Sequence, residues 1–352
     1  MYSEGDLQDA VVAGAISAEA AEALRNHVAT LRSTPVVDEE HFRLLTGFND
    51  IFVSLACVIL LVAVGWLGDS VRLGAQARHP SVLSGLLVAA VSWGLAEYFT
   101  RQRRMALPSI LLLGGFVGGV GFALVALGMQ LVPEADDQTG SLILAGAAAV
   151  SALAAWAHWH RFMVPITVAA GAAAAGAVVA GLVLSVLHNS EPLRFGLLLA
   201  TGLAIFALAM RWDMSDRART TRRADVAFWL HLTAAPMIAH ALFHLMGVFE
   251  GSDIPIGKAV IVIAFYIGFG LIALAIDRRA LLVSGLAYVL YAIYALFQKV
   301  GAVELSFALT ALVIGTSLLL LSAWWHLARA NIVGGLPPAL VARLPYVESV
   351  PA

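Results

Sequence analysis

The stretch "ADVAFWLHLTAAPMIAHALFH", residues 224 to 244, sets three histidines and a proline inside an otherwise apolar run. A run of about 20 mostly apolar residues is long enough to cross the hydrocarbon core of a bilayer as a helix. The fold therefore turns on whether this run has companions. It does. The 352-residue chain is 61% hydrophobic and only 12% charged, whereas a soluble domain carries roughly 25% charged residues. Its mean hydropathy is +0.88. Ten segments qualify as spans: 48–68, 82–99, 105–132, 139–158, 162–187, 192–211, 225–249, 255–276, 280–298 and 305–327. Only helices satisfy their own backbone groups in lipid outside a closed barrel. The expected fold is an all-α polytopic bundle of about ten spans. Nine or eleven stay open, because the fourth to sixth segments are small-residue rather than greasy.

Charge orients the bundle. With the N-terminus placed in the cytoplasm, 16 Lys and Arg fall on the cytoplasmic side and 5 on the other. That asymmetry is a positive-inside signal. It places both termini in the cytoplasm. The domain plan is a cytosolic helical segment over 1–47, a transmembrane bundle over 48–328 and a cytosolic tail over 329–352.

Residues 1–47 carry eight acidic and three basic residues. "LQDAVVAGAISAEAAEAL" predicts a helix, a turn at Gly14 and a second helix capped by Ser17. With the polar spacer after it and "GFNDIFVSLACVILLVAVGWLG", this resembles an uncharacterised family of predicted bacterial multi-spanning membrane proteins that begin with a short helical segment. The resemblance runs from Met1 to about Ser70. It implies an inner-membrane protein and transfers no catalytic residue.

Several function classes drop out. There is no clustered basic domain for nucleic acid. The single Cys57 forms no intrachain disulfide. No phosphate-binding loop and no Gly-x-Ser-x-Gly motif is present. No cofactor is implied.

The chemistry rests on the seventh span. At about 100° per residue, His240 and His244 share a face, while His231 points to the opposite side from His240. The i, i+4 pair has the spacing that holds one metal ion. A third ligand would come from Glu134, Asp136, Asp137, His188, Glu250 or Asp253. A haem would need a facing histidine, and only His231 lies at comparable depth. Otherwise the histidines bridge helices, or handle a proton or substrate, since ionisable groups inside spans often mark pathways. Pro236 is the only proline near the middle of a span and frees a backbone carbonyl there. Asn49 and Asp50 at the mouth of the first span, with Glu97, form a candidate inner gate. Glu97 is also spaced to pair with Arg101.

Other residues take structural readings. Asp277 adjoins Arg278 and Arg279 in a loop. Trp324 and Trp325 belong to an interfacial belt. Gly114/Gly118 and Gly115/Gly119 are small-xxx-small pairs for close helix packing. Ten spans divide into five plus five, which would make inverted halves.

Three readings of function follow. The first is a secondary transporter or permease for a small solute. The second is an accessory or structural membrane protein without transport. The third, a lesser one, is an intramembrane metal- or haem-dependent enzyme. The expected partners are the lipid bilayer, a small molecule and a second copy of the chain.

Overall fold

A computed structural model describes residues 4–31, 48–71, 80–187, 189–219, 221–248, 255–299 and 305–346. All regular structure among the described residues is helical. The chain forms two compact units, 1–43 and 44–352.

The first unit holds α1 (Glu4–Val12) and α2 (Ala18–Leu31). Gly14 takes φ +70 between them, a backbone region that costs glycine nothing. The Ala20 N–H donates to Ser17 Oγ at 3.1 Å, so Ser17 caps α2 as its position before the helix requires.

The second unit is a polytopic helix bundle. Its long helices are α3 (Phe48–Ser70), α4 (Val82–Ala96), α5 (Ala106–Leu131), α6 (Asp137–Phe162), α7 (Ile166–Val186), α8 (Glu191–Ser215), α9 (Arg222–Leu245), α10 (Ile256–Ile276), α11 (Ala280–Lys299) and α12 (Ser306–Ala323). A π-helical turn, Glu97–Gln102, continues α4. Two short helices close the chain, α13 (Trp325–Gly334) and α14 (Pro338–Val341). Among the described residues, nine helices are long and apolar enough to cross a membrane. The tenth expected span is α11, whose apolar stretch Leu281–Phe297 is shorter.

One boundary differs from the sequence expectation. Hydropathy carries the last span to residue 327, but α12 stops at Ala323. Trp324 leaves helical dihedrals (φ -110, ψ 25), and α13 starts afresh at Trp325. The break lets Trp325 turn inward: it is 2% exposed, against 54% for Trp324. Only Trp324 has the exposure of a belt residue. Residues 329–346, expected as a tail, are folded, with Arg329, Val333 and Leu344 buried.

Small residues set the closest helix contacts. A Cβ on Gly85 of α4 would lie 2.6 Å from the Gly119 carbonyl oxygen of α5, and one on Gly119 would lie 2.7 Å from the Gly85 oxygen. Those are backbone atoms and cannot yield as a side-chain tip does. Gly115 also faces α4, against Ser92, while Gly114 and Gly118 face open space. Of the two small-xxx-small pairs, one is therefore the packing seam.

Packing does not repeat between the halves. In the first half α4 lies tightly on α5, and α5 on α6. In the second half α9 packs on α8 and α11, and α10 also pairs with α11. An inverted repeat would pair α9 with α10 as closely as α4 pairs with α5, and it does not. Helix α9 is also the most buried span, 61% of its apolar window being inside the protein.

Gly119→Ala should lower stability by about 1–3 kcal/mol, the range for overpacking a close contact. Gly118→Ala, one residue away and facing open space, should leave it unchanged. Unfolding midpoints of the two variants in mild detergent check this.

Candidate functional site

Helix α9 carries chemistry at both ends. Near its start, His231 is fully buried. Its Nε2 lies 2.8 Å from Asp213 Oδ2 of α8. A carboxylate accepts, so Nε2 carries the proton. The other Asp213 oxygen receives Arg278 Nη2 at 2.6 Å, and Arg278 Nη2 also donates to the Ala224 carbonyl at 3.2 Å. Asp213 and Arg278 are 1% and 3% exposed at their side chains. A carboxylate at this depth persists as an ion only because a charge and a hydrogen-bond donor face it.

A second buried carboxylate lies next to the first. Asp277 ends α10 in the left-handed conformation, φ 57, which Asp tolerates better than most residues. The Arg278 N–H bonds back to the Ala273 carbonyl at 2.9 Å, closing the helix end as in a Schellman turn. Asp277 Oδ2 receives Arg219 Nη1 at 2.8 Å and Oδ1 receives Trp325 Nε1 at 2.7 Å. Arg329 Nε stands 3.8 Å from Oδ1. Burial pushes the Asp277 carboxyl up, but Arg219, Arg329 and the Trp325 N–H outweigh it and hold it below the ordinary carboxylate range. Burial, with Arg278 nearby, draws the Arg219 guanidinium below its usual value.

Three buried guanidinium groups thus face two carboxylates. Further guanidinium N–H groups reach backbone carbonyls. Arg219 Nη2 reaches the Ile276 and Asp277 oxygens at 3.0 and 3.1 Å. Arg329 reaches those of Tyr346 and Pro345 at 3.1 and 3.0 Å. In the α8–α9 turn, Asp216 accepts from the Thr221 N–H at 2.9 Å and its hydroxyl at 2.6 Å. Arg217 binds the Leu344 oxygen at 2.7 Å and lies 4.3 Å over the Tyr346 ring. The two arginine-rich turns, α13 and the C-terminal segment form one network.

Toward the other end α9 keeps Ala239, Ala241 and Phe243 buried and exposes one face. Pro236 and His240, one turn apart, are both exposed. The His240 Nδ1 and Tyr288 hydroxyl of α11 are 2.5 Å apart. His244 stacks on Phe195 of α8, with ring centres 4.2 Å apart and planes 11° apart. The His240 and His244 ring centres are 4.4 Å apart. Phe243, fully buried, backs Tyr288 at 4.4 Å. The set is a small aromatic face with two imidazoles and a phenol at its rim.

The structure separates the residues singled out from sequence. His240 and His244 lie together. His231 belongs to the ionic network on the other side of the helix. No group of three or more metal-binding side chains occurs among the described residues. Of the proposed third ligands, Asp136 caps α6, accepting the Thr139 N–H at 2.9 Å. That bond and the Thr139 hydroxyl hold its carboxyl below the usual range. Glu134 and Asp137 are exposed at the same helix start, while His188, Glu250 and Asp253 lie outside the described residues. Glu97 meets Arg101 at 3.4 Å, but its stronger partner is Arg161 of α6, a two-pronged contact at 2.6 and 2.8 Å. Such forked pairs fix geometry more than they stabilise a half-exposed site. Asn49 is exposed and Asp50 buried at the start of α3.

Sequence reasoning passed over Asp213, Arg219 and Arg329, and read Asp277 and Arg278 as loop residues and Trp325 as part of an interfacial belt. One signal was there. Gly202, Ile205, Ala209 and Asp213, all buried, form a single helical stripe on α8, so the carboxylate continues a packing face rather than beginning a loop.

No protein-family model, curated protein or solved structure matches the chain. The resemblance carried by the N-terminal segment and the first span finds no counterpart there.

Asp277→Asn keeps the backbone tolerance and an acceptor for Trp325 but removes the charge. It should cost about 3 kcal/mol near neutral pH, since it leaves buried guanidinium groups underpaired. The sign with pH follows from the lowered carboxyl. Its contribution is whole above the unfolded-state value, about 3.9, and is lost as pH falls through the lower folded-state value. Thermal unfolding measured from pH 7 to pH 3 should show a weaker acid loss in Asp277→Asn than in the wild type.

Proposed function

We propose that the protein is a secondary transporter or permease for a small solute, with a proton moving in step. The observation that carries this reading is the His240–Tyr288 contact. It joins two titratable groups from α9 and α11 on an exposed face of an otherwise apolar bundle. Imidazole and phenol both donate and accept hydrogen bonds, so the pair can hand a proton from one to the other. The adjoining Phe195 ring and His244 supply a flat apolar wall of the kind that orients a small molecule. Pro236, one turn before His240, has no N–H to give to the Leu232 carbonyl, and so loosens α9 where the face is exposed. At the other end the ionic network ties α8, α9, α10 and α13 together. It serves as the fixed end against which the looser end moves.

The inner-membrane placement rests on the N-terminal resemblance, and charge supports the orientation with the arginine-rich turns in the cytoplasm. Ala218 is exposed in the α8–α9 turn and Glu134 precedes α6 at the opposite end. In intact cells, a membrane-impermeant maleimide should label Glu134→Cys and spare Ala218→Cys. The reverse pattern would invert the placement.

Transport is tested in proteoliposomes that enclose a pH-sensitive dye, challenged in turn with amino acids, sugars and organic acids. One solute class should drive a proton flux, and His240→Ala and Tyr288→Phe should each reduce it at least about tenfold, on the scale of general acid–base effects. Silence across all classes, or wild-type flux in His240→Ala, would overturn the reading.

A further inference from the structure

A cavity of about 140 Å³ lies between the start of α11, the end of α12 and Trp325. Leu282, Leu286, Leu318 and Leu321 line it, and Arg279 stands at its mouth. Its wall is apolar. An engineered cavity of roughly 150 Å³ with similar lining stays dry and takes up hydrocarbon. Here the opening leads out of the bundle, since Val283 on its rim is 66% exposed. What adjoins it in a bilayer is therefore lipid.

The mouth is specific. The Arg279 guanidinium lies 4.9 Å over the Trp325 ring, within cation–π range. That ring is itself held by the Trp325 Nε1 bond to Asp277 at 2.7 Å, so the guanidinium rests on a fixed platform. Arg278, next in the chain, spends its charge on Asp213, whereas no carboxylate pairs with Arg279 among the described residues. The Leu282 and Val283 N–H groups bond to the Arg279 carbonyl at 3.0 and 3.2 Å. Arg279 thus stands at the N-terminus of α11, where the helix dipole adds positive potential. A cation beside an apolar slot, at the level where spans end, matches one occupant: a lipid with a negative headgroup.

We propose that this slot binds an anionic phospholipid of the surrounding bilayer, with part of an acyl chain between α11 and α12 and the phosphate on Arg279. The site is independent of the His240 face and of any transport. Its effect is mechanical. Trp325 contacts both the lipid slot and Asp277, so an occupied slot holds α12 and α13 against the ionic network.

The test is native mass spectrometry of the full chain, delipidated in mild detergent and titrated with dioleoyl phosphatidylglycerol or dioleoyl phosphatidylcholine. The wild type should retain the anionic lipid at about tenfold lower concentration than the neutral one, the scale of one hydrogen bond to a charged group. Arg279→Gln should erase that preference. Val283→Trp, on an exposed position, should weaken both lipids by blocking the slot while keeping Arg279. Glycerol phosphate, the headgroup without its chains, should fail to displace the bound lipid. Equal retention of the two lipids by the wild type would overturn the proposal. So would a preference that survives Arg279→Gln, wild-type retention in Val283→Trp, or displacement by glycerol phosphate.

Discussion

Two ionised carboxylates buried at one end of a helix bundle constrain everything near them. Neither Asp213 nor Asp277 can keep its charge there without cations that come from elsewhere in the chain. Arg278 comes from the α10–α11 turn, Arg219 from the α8–α9 turn and Arg329 from α13. Each pairing is therefore also a statement about which elements lie together. A buried ion pair is weak evidence of net stability, because desolvation takes back much of the attraction. What it does enforce is an all-or-none arrangement. If α13 moved away, Trp325 and Arg329 would leave Asp277 with fewer donors, and its charge would become costly. The break at Trp324 is compatible with the same demand, since beyond it Trp325 is buried and bonded to Asp277.

The first half of the bundle is held differently. At Gly85 and Gly119 it is backbone against backbone, and lipid offers little hydrophobic drive for such contacts. Dispersion and close fit must supply it, so the seam is sensitive to a single methyl group. The second half uses charge and hydrogen bonds where the first uses shape. That difference agrees with the unequal packing of the halves and argues against reading the chain as two inverted copies.

The spans were legible in the sequence because sustained hydropathy across a membrane's thickness is a strong signal and little else competes with it. The helix starts and stops were legible where a cap or proline marks them, as at Ser17 and Pro255. The end of α12 was not, since nothing local at Trp324 stops a helix; just beyond the break Trp325 bonds Asp277, a partner on another helix. The ionic network was hidden for a related reason. Arginines and aspartates near span ends are read first as signs of which side of the membrane they occupy, and that use absorbs their charge without asking what they touch. Asp213 shows the cost. Taken as part of "RWDMSDRARTTRR" it is one charge among many, yet its phase on α8 places it with Ile205 and Ala209 on the buried face. The histidine spacing, by contrast, correctly divides His231 from His240, because both sit on one regular helix whose geometry carries through Pro236.

That division gives α9 its character. One helix holds an imidazole with a fixed proton on Nε2, locked between a carboxylate and the packed core. Farther along, past Pro236, it holds another that is exposed and hydrogen-bonded to a phenol. The first has no room to change its partners without disturbing the whole ionic network. The second can exchange a proton with its neighbour and leave the rest of the bundle in place. Between them stands a proline that removes a backbone bond from the helix. On the transport reading proposed above, a rod tied at one end and softened in the middle would turn a proton transfer at its far end into a displacement more readily than a rod without the proline. The first-half helices, joined by glycine contacts, carry no such gradient.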